Sequence, residues 1–215
     1  MMTRAKTSRA HEHKPFLSTR KVFHVFAASL TPLYYWYHPL AATIPQARIQ
    51  VVIGSLVGFI LFLLFDLFRM RDREFNSKFM NTFSFIVRRG EEGRFTGATH
   101  LCFAFVVVSW FFSREVAVTA MLFLSLGDTS AEMAGRYFGK NKVFRRSLEG
   151  SLGFFLVTFP IAWVILDDWR VAVLGALAGT LVELFSFEVD DNLTVPIGSA
   201  AALFGALLLM HTYFP

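Results

Sequence analysis

The segment GDTSAEMAGRYFGK, from Gly127 to Lys140, closes a long apolar run and carries two carboxylates and a guanidinium at one helical spacing. Asp128, Glu132 and Arg136 stand four residues apart, so a helix places them on one face, and part of that face lies inside a bilayer. Carboxylates in such a place need a cation. Either they pair with Arg136, or they hold a metal ion, with Asp128, Glu132 and Asp191 as the ligand candidates.

Other polar groups fall at a matching depth. Glu183 sits near the end of a later apolar run, and Glu188, Asp190, Asp191 and Asn192 follow it. His24 and His100 lie near the same ends of two other runs, with Glu91 and Glu92 just before the latter. Each has a plainer reading: a packed imidazole, a protonated Glu183, or an acidic turn capped by Asn192.

A basic loop follows the carboxylates. Lys140, Lys142, Arg145 and Arg146 lead into Ser147, Gly150 and Ser151 at a helix start, where free amides and the helix dipole favour phosphate. The same charges also fit an ordinary cytosolic loop of a membrane protein. GRYFGKN is not a P-loop, because its glycines are too close and no Ser or Thr follows Lys140. Acidic metal candidates beside a phosphate cradle are what phosphoryl or nucleotidyl transfer requires, with Mg²⁺ bridging phosphate oxygens.

The elements that must position these groups are membrane helices. A mean hydropathy of +0.49 and 26 Phe in 215 residues are too apolar for a soluble core of this size. The single Cys102 excludes a disulfide framework and a cysteine-based zinc site.

The predicted fold is all-α, a polytopic transmembrane bundle of about seven spans. The runs cover Lys21 to Tyr37, Ile49 to Phe68, Thr96 to Phe112, Glu115 to Phe138, Ser151 to Leu166, Val171 to Phe185 and Val195 to His211. The segment Arg71 to Val87, with Phe75, Phe79 and Phe83 at every fourth position, reads as an interfacial amphipathic helix. Residues 1 to 14 read as a disordered basic leader and 15 to 215 as one integral membrane catalytic domain. Pro32 and the Tyr/Trp cluster around it mark the first run as a span rather than a cleaved signal peptide.

Of the 21 Lys and Arg residues, all but Arg48, Arg114 and Arg170 fall on the side of the amino terminus when seven spans are threaded. That side is cytosolic, and the carboxyl terminus lies opposite. Asp128 then lies roughly 20 Å along its helix from Glu115, in the cytosolic third of a core about 30 Å thick. The proposed chemistry thus faces the compartment that holds nucleotide.

Four stretches in order, RKVFH (Arg20 to His24), GDTSAEMAGRYFGK, RRSLEGSLG (Arg145 to Gly153) and VDDNLTVP (Val189 to Pro196), resemble the CTP-dependent lipid-alcohol kinases. That family comprises dolichol kinase, phytol kinase and the CTP-dependent diacylglycerol kinase. FDLFRMRDREFN followed by RRGEE is similar to the diacylglycerol kinase branch. The resemblance implies transfer of the γ-phosphoryl group of CTP, with Mg²⁺, to the hydroxyl of a lipid alcohol drawn from the bilayer, and no nucleic-acid partner.

It carries Asp128, Lys140, Ser147, Glu149, Gly150, Asp191 and Asn192 to the nucleotide and metal site. Arg146 stands where the family usually has Lys. Lys140, Lys142, Arg145 and Arg146 would clamp the triphosphate, and Glu149 or Glu183 would take the hydroxyl proton. Glu132 as a ligand rests on spacing alone. Phosphatidate cytidylyltransferase shares a similar GRxFGK and S-x-EG core, but its late segment rich in Gly and His is replaced here by VDDNLTVPIG. A cation- or proton-coupled transporter would also use intramembrane carboxylates, yet no repeat halves are visible.

Overall fold

A computed structural model describes residues 19–40, 42–144, 146–186 and 189–213. The basic leader, Arg145 and Glu188 lie outside the described residues.

The expectation of an all-helical chain is borne out. The long apolar helices are α1 (Thr19–Tyr37), α2 (Ile44–Arg71), α4 (Gly97–Phe111), α7 (Leu148–Leu166), α8 (Trp169–Phe185) and α9 (Asp191–Tyr213). A short α3 (Arg73–Thr82) follows α2, and α5 (Arg114–Leu122) continues through a π-helical stretch, Phe123–Asp128, into α6 (Thr129–Tyr137). Two-residue strands β1 (Lys142–Val143) and β2 (Arg146–Ser147) form an antiparallel hairpin ahead of α7, pairing Lys142 with Ser147 and Val143 with Arg146. Among the described residues α2, α7 and α9 are long and apolar enough to cross a membrane, and α4 is a shorter apolar helix.

Local chemistry sets the helix ends. Thr43 caps α2 by accepting from Gln46 N, with Pro45 in the first turn, where no amide partner is needed. Asp72 caps α3, Ser113 caps α5 and Asp168 caps α8 in the same way. Asp167, in the left-handed conformation at φ 54°, ends α7 one residue earlier, so two adjacent aspartates stop one helix and start the next.

α5 is the axis of the bundle. Every residue from Val116 to Met121 is buried, as are Phe123 and Leu124, so this helix is apolar all round and surrounded by protein. α1, α4, α7 and α9 pack on it, α8 lies against α7 and α9, and α2 lies outside α4.

Small residues allow close approach. A side chain at Gly127 would strike Phe154 and Thr158, one at Gly150 would come within 2.9 Å of the Ala131 carbonyl, and one at Gly153 would meet Ala134. The glycines of the two motifs thus let α6 and its π-helical lead-in lie tightly on α7. Outside this core, α2 exposes Ile53, Ile60, Leu61, Leu64 and Phe68, an apolar surface that suits lipid rather than water.

α3 returns along α2. Phe79 stacks edge-on against Phe65, and Phe75 meets Phe65 and Phe68, so the every-fourth-residue phenylalanines are an apolar packing face. The fourth apolar run departs from expectation in one respect: it is not one regular helix. The π-helical stretch interrupts it up to and including Asp128, and such stretches widen a turn and re-aim the helix beyond them.

Candidate active site

Asp128 is the last residue of the π-helical stretch and Glu132 lies one turn on, in α6. The expected shared face is present, but its principal cation comes from another helix. Lys21 of α1 places its Nζ 2.6 Å from Asp128 Oδ2 and 3.0 Å from Glu132 Oε2. Lys21 and Asp128 each keep only 7% side-chain exposure, so this is a buried pair. Arg136 bonds Glu132 at 2.8 Å, and Arg20 approaches Glu132 at 3.9 Å.

A second cation lies beyond the first. Arg146, from β2, reaches inward to Glu183 Oε1 at 3.1 Å, Asp191 Oδ1 at 2.8 Å and Asp128 Oδ1 at 3.9 Å. Glu183 is 1% exposed, and its Oε2 is buried with no hydrogen-bond partner among the described residues. Four carboxylates from the π-helical stretch, α6, α8 and the start of α9 are therefore held around Lys21 and Arg146.

Asn192 stands beside them, its backbone N and Nδ2 donating to Asp190 Oδ1 at 2.9 and 2.7 Å. Its Nδ2 would be 2.6 Å from a Cβ at position 97, so Gly97 at the start of α4 admits it. His100 Nδ1 lies 3.9 Å from Asp190 Oδ2.

The hairpin residues are arranged differently from the expected cradle. Ser147 Oγ accepts from Gly150 N as the cap of α7, and Leu148 N donates to Asn141 O, so these first amides already have partners. Glu149 accepts from Asn141 N and Nδ2, which fixes the hairpin base, and no bond links it to the carboxylate cluster among the described residues. Lys140 and Lys142 are exposed. Arg145 lies outside the described residues.

Beside the cluster is a cavity of about 410 Å³. Asp128, Asp191, Asn192 and His24 line one side, and Phe62 and Phe65 of α2 with Phe79 and Phe83 line another.

The α2–α4 connection that closes the cavity is pinned by a second buried pair. Arg69 and Asp66, both with no exposed side-chain surface, bond at 3.0 Å. Arg69 also donates to the carbonyls of Glu91 and Arg94, while Asp66 accepts from Thr96 N, Thr96 Oγ1 and Thr99 Oγ1. Every oxygen and most donors of this ion pair are used, as burial demands. Glu91, on this connection, has its carboxyl pushed above the ordinary range by burial, with Asp190 adding to the rise.

Sequence reasoning did not assign Lys21 a role in the site. Its signal was present in RKVFH, which puts His24 one turn beyond Lys21 on α1, but a Lys at the start of a span is also what membrane orientation alone would place there.

The proteins that the chain resembles are named CTP-dependent diacylglycerol kinase and phytol kinase. The chain is 27% identical over 192 residues to the CTP-dependent diacylglycerol kinase 1 of Eremothecium gossypii, covering 76% of this chain and 58% of that protein. It is 26% identical over 211 residues to the protein of the same name from Saccharomyces cerevisiae, covering 84% and 70%. Over 111 residues it is 35% identical to the phytol kinase of a Synechocystis strain, covering 44% and 47%. The likeness to CTP-dependent lipid-alcohol kinases read from the motifs is borne out by these relatives. The chain spans 58% of the length of the Eremothecium relative. No family model matches the chain, and no solved structure matches it.

Proposed function

We propose that this chain is an integral membrane kinase that transfers the γ-phosphoryl group of CTP to the hydroxyl of a lipid alcohol, of the diacylglycerol or isoprenoid-alcohol kind. The observation that carries this reading is the meeting of an aromatic-walled cavity with Asp128, Asp191, Lys21 and Arg146. The names of the relatives supply CTP and the lipid acceptors.

In this reading the seven apolar helical segments cross the bilayer as one catalytic domain. The amino terminus and the cluster face the cytosol, where CTP is, and the carboxyl terminus faces away. α3 lies along the interface.

The hydroxyl oxygen bonds to Pγ as the Pγ–O bond to the β-phosphate breaks, and CDP leaves with that electron pair. Lys21, Arg146 and the exposed Lys140 and Lys142, with Arg145, neutralise the triphosphate; Asn192 donates to it. The hydroxyl proton passes into the carboxylate cluster, where Glu183 Oε2 is an oxygen not already engaged among the described residues.

The residues suit Mg²⁺. Arg146 holds Asp128 and Asp191 to a common point as a cation would, and both are hard oxygen donors. Among the described residues Asp128, Glu132 and Asp191 are not assembled into a three-ligand cage. Asp128 and Asp191 would hold it, with Glu132 one turn away. When bound it would neutralise charge on the phosphate oxygens.

The test uses CTP labelled at the γ- or the α-phosphate, with Mg²⁺ and a panel of lipid alcohols and phosphatidate in liposomes. Label on a lipid alcohol from the γ position alone is expected. Label on phosphatidate from the α position would make the protein a cytidylyltransferase and overturn the reading.

A further inference from the structure

The cavity has a shape that the reaction alone does not require. α1 and α2 run antiparallel and meet at one end, where Tyr34 bonds to Gln50. At their other end they stand apart, and the cavity lies between them, lined by Phe23, His24 and Ala27 of α1 and by Phe62 and Phe65 of α2.

Phe79 and Phe83 roof this cleft, and Ala98 and Leu101 of α4 back it. On the side of α1 and α2 the lining is apolar and open, with Phe23 49% exposed, Phe62 43% and Phe83 41%, while Arg20, Arg88 and Glu91 also line the cavity. The exposed Phe23 and Phe62 thus join the cavity to the apolar surfaces of α1 and α2, which also expose Val22, Phe26, Leu61 and Leu64.

The inner end is the opposite in character. Asp128 and Asn192 line it with His24, whose Nε2 is buried without a hydrogen-bond partner among the described residues. A polar nitrogen left so costs free energy unless something arrives to bond it. A molecule that fits has a hydrocarbon body and one hydroxyl at its tip.

We propose that the cleft between α1 and α2 is a lateral entrance through which the lipid alcohol passes from the bilayer, hydroxyl first, with His24 Nε2 accepting the hydrogen bond of that hydroxyl on arrival, before the hydroxyl turns to the carboxylate cluster for transfer. This rests on the kinase reading. The chain of the lipid lies against Phe62, Phe65, Phe79 and Phe83, and CTP reaches the same carboxylates from the hairpin side, so the two substrates do not share an entrance. His24 orients the hydroxyl, and the roof formed by α3 and Phe83 selects among acceptors.

Two kinds of variant test it in liposomes, with wild-type protein in parallel. Ala27→Trp narrows the cleft from the α1 side, and Phe83→Ser opens its exposed roof with little burden on folding. Each is expected to raise KM for the lipid alcohol about tenfold, the loss that goes with roughly two methylenes of burial, and to leave KM for CTP unchanged. His24→Phe keeps a ring of similar shape without the nitrogen; it is expected to lower kcat about a hundredfold through a misplaced hydroxyl, again at unchanged KM for CTP. If wild-type protein phosphorylates a lipid alcohol while all three variants keep the wild-type lipid KM and kcat, the entrance lies elsewhere and the kinase reading stands. If wild-type protein labels no lipid alcohol, the kinase reading fails and takes the entrance with it.

Discussion

Lys21→Met removes the cation that two carboxylates share, and the structure sets the size of the effect. Breaking a buried ion pair by deleting one partner costs about 3–5 kcal/mol, because the other charge is left without compensation. Here Asp128 retains Arg146 at 3.9 Å, and Glu132, 28% exposed, retains Arg136 at 2.8 Å. The cost should therefore fall to about 2–3 kcal/mol, a shift of roughly 30- to 150-fold in the folded-to-unfolded ratio.

Lys21→Met/Asp128→Asn removes both charges of the closest contact. It should recover about half of that loss, a coupling on the order of 1–1.5 kcal/mol. Reversible unfolding in mixed micelles, for wild type, both single variants and the double variant, gives the cycle. Activity is no guide, since every member except wild type should be inactive. A Lys21→Met protein within about 0.5 kcal/mol of wild type, or strictly additive variants, would show that the 2.6 Å contact does not hold α1 to the bundle axis.

Three further outcomes are expected. Asp128→Asn should lower phosphoryl transfer at least about a thousandfold while the protein stays folded in the membrane, checked by γ-labelled CTP and size-exclusion profile. Arg69→Met should destabilise by about 3 kcal/mol or more, because Asp66 stays buried and the Glu91 and Arg94 carbonyls lose a donor; thermal unfolding in detergent measures it. Glu91 ionises in the unfolded chain before it ionises in the folded one, so its contribution to stability falls as pH rises from the ordinary carboxylate range to its raised value. Glu91→Gln should flatten the stability profile from the ordinary carboxylate range upward, and a profile parallel to wild type would refute it.

The helices were legible because apolar runs of this length leave a membrane chain few alternatives, and each run coincides with a helical segment, two of them overrunning it by a single residue at one or both ends. The shared face of Asp128 and Glu132 and the approach of Asp191 and Asn192 were legible too, since helical spacing and depth bring them together. Arg146 was not. A basic loop residue reads as a phosphate ligand or a cytosolic charge, and only the hairpin shows that its guanidinium turns inward to Glu183 and Asp191. Ser147 and Glu149 sit in a motif that looks like a ligand cradle, yet in the structure their bonds cap a helix and brace a turn. Short-range bonds of this kind compete with ligand binding for the same atoms, and sequence alone does not show which use prevails.

The π-helical stretch that ends at Asp128 gives the central helix a phase that its sequence period does not have. Deleting one residue between Phe123 and Gly127 would restore a regular helix and leave hydropathy almost untouched, so the chain would still be read as a membrane span. Everything beyond the deletion would turn by about 100° about the helix axis. Asp128 and Glu132 would leave Lys21, and Gly135 would leave the neighbouring Ser147. The extra residue acts as a key cut into an otherwise ordinary rod, and a homologous chain that had lost it would keep its motifs in the text of the sequence and lose their meeting in space.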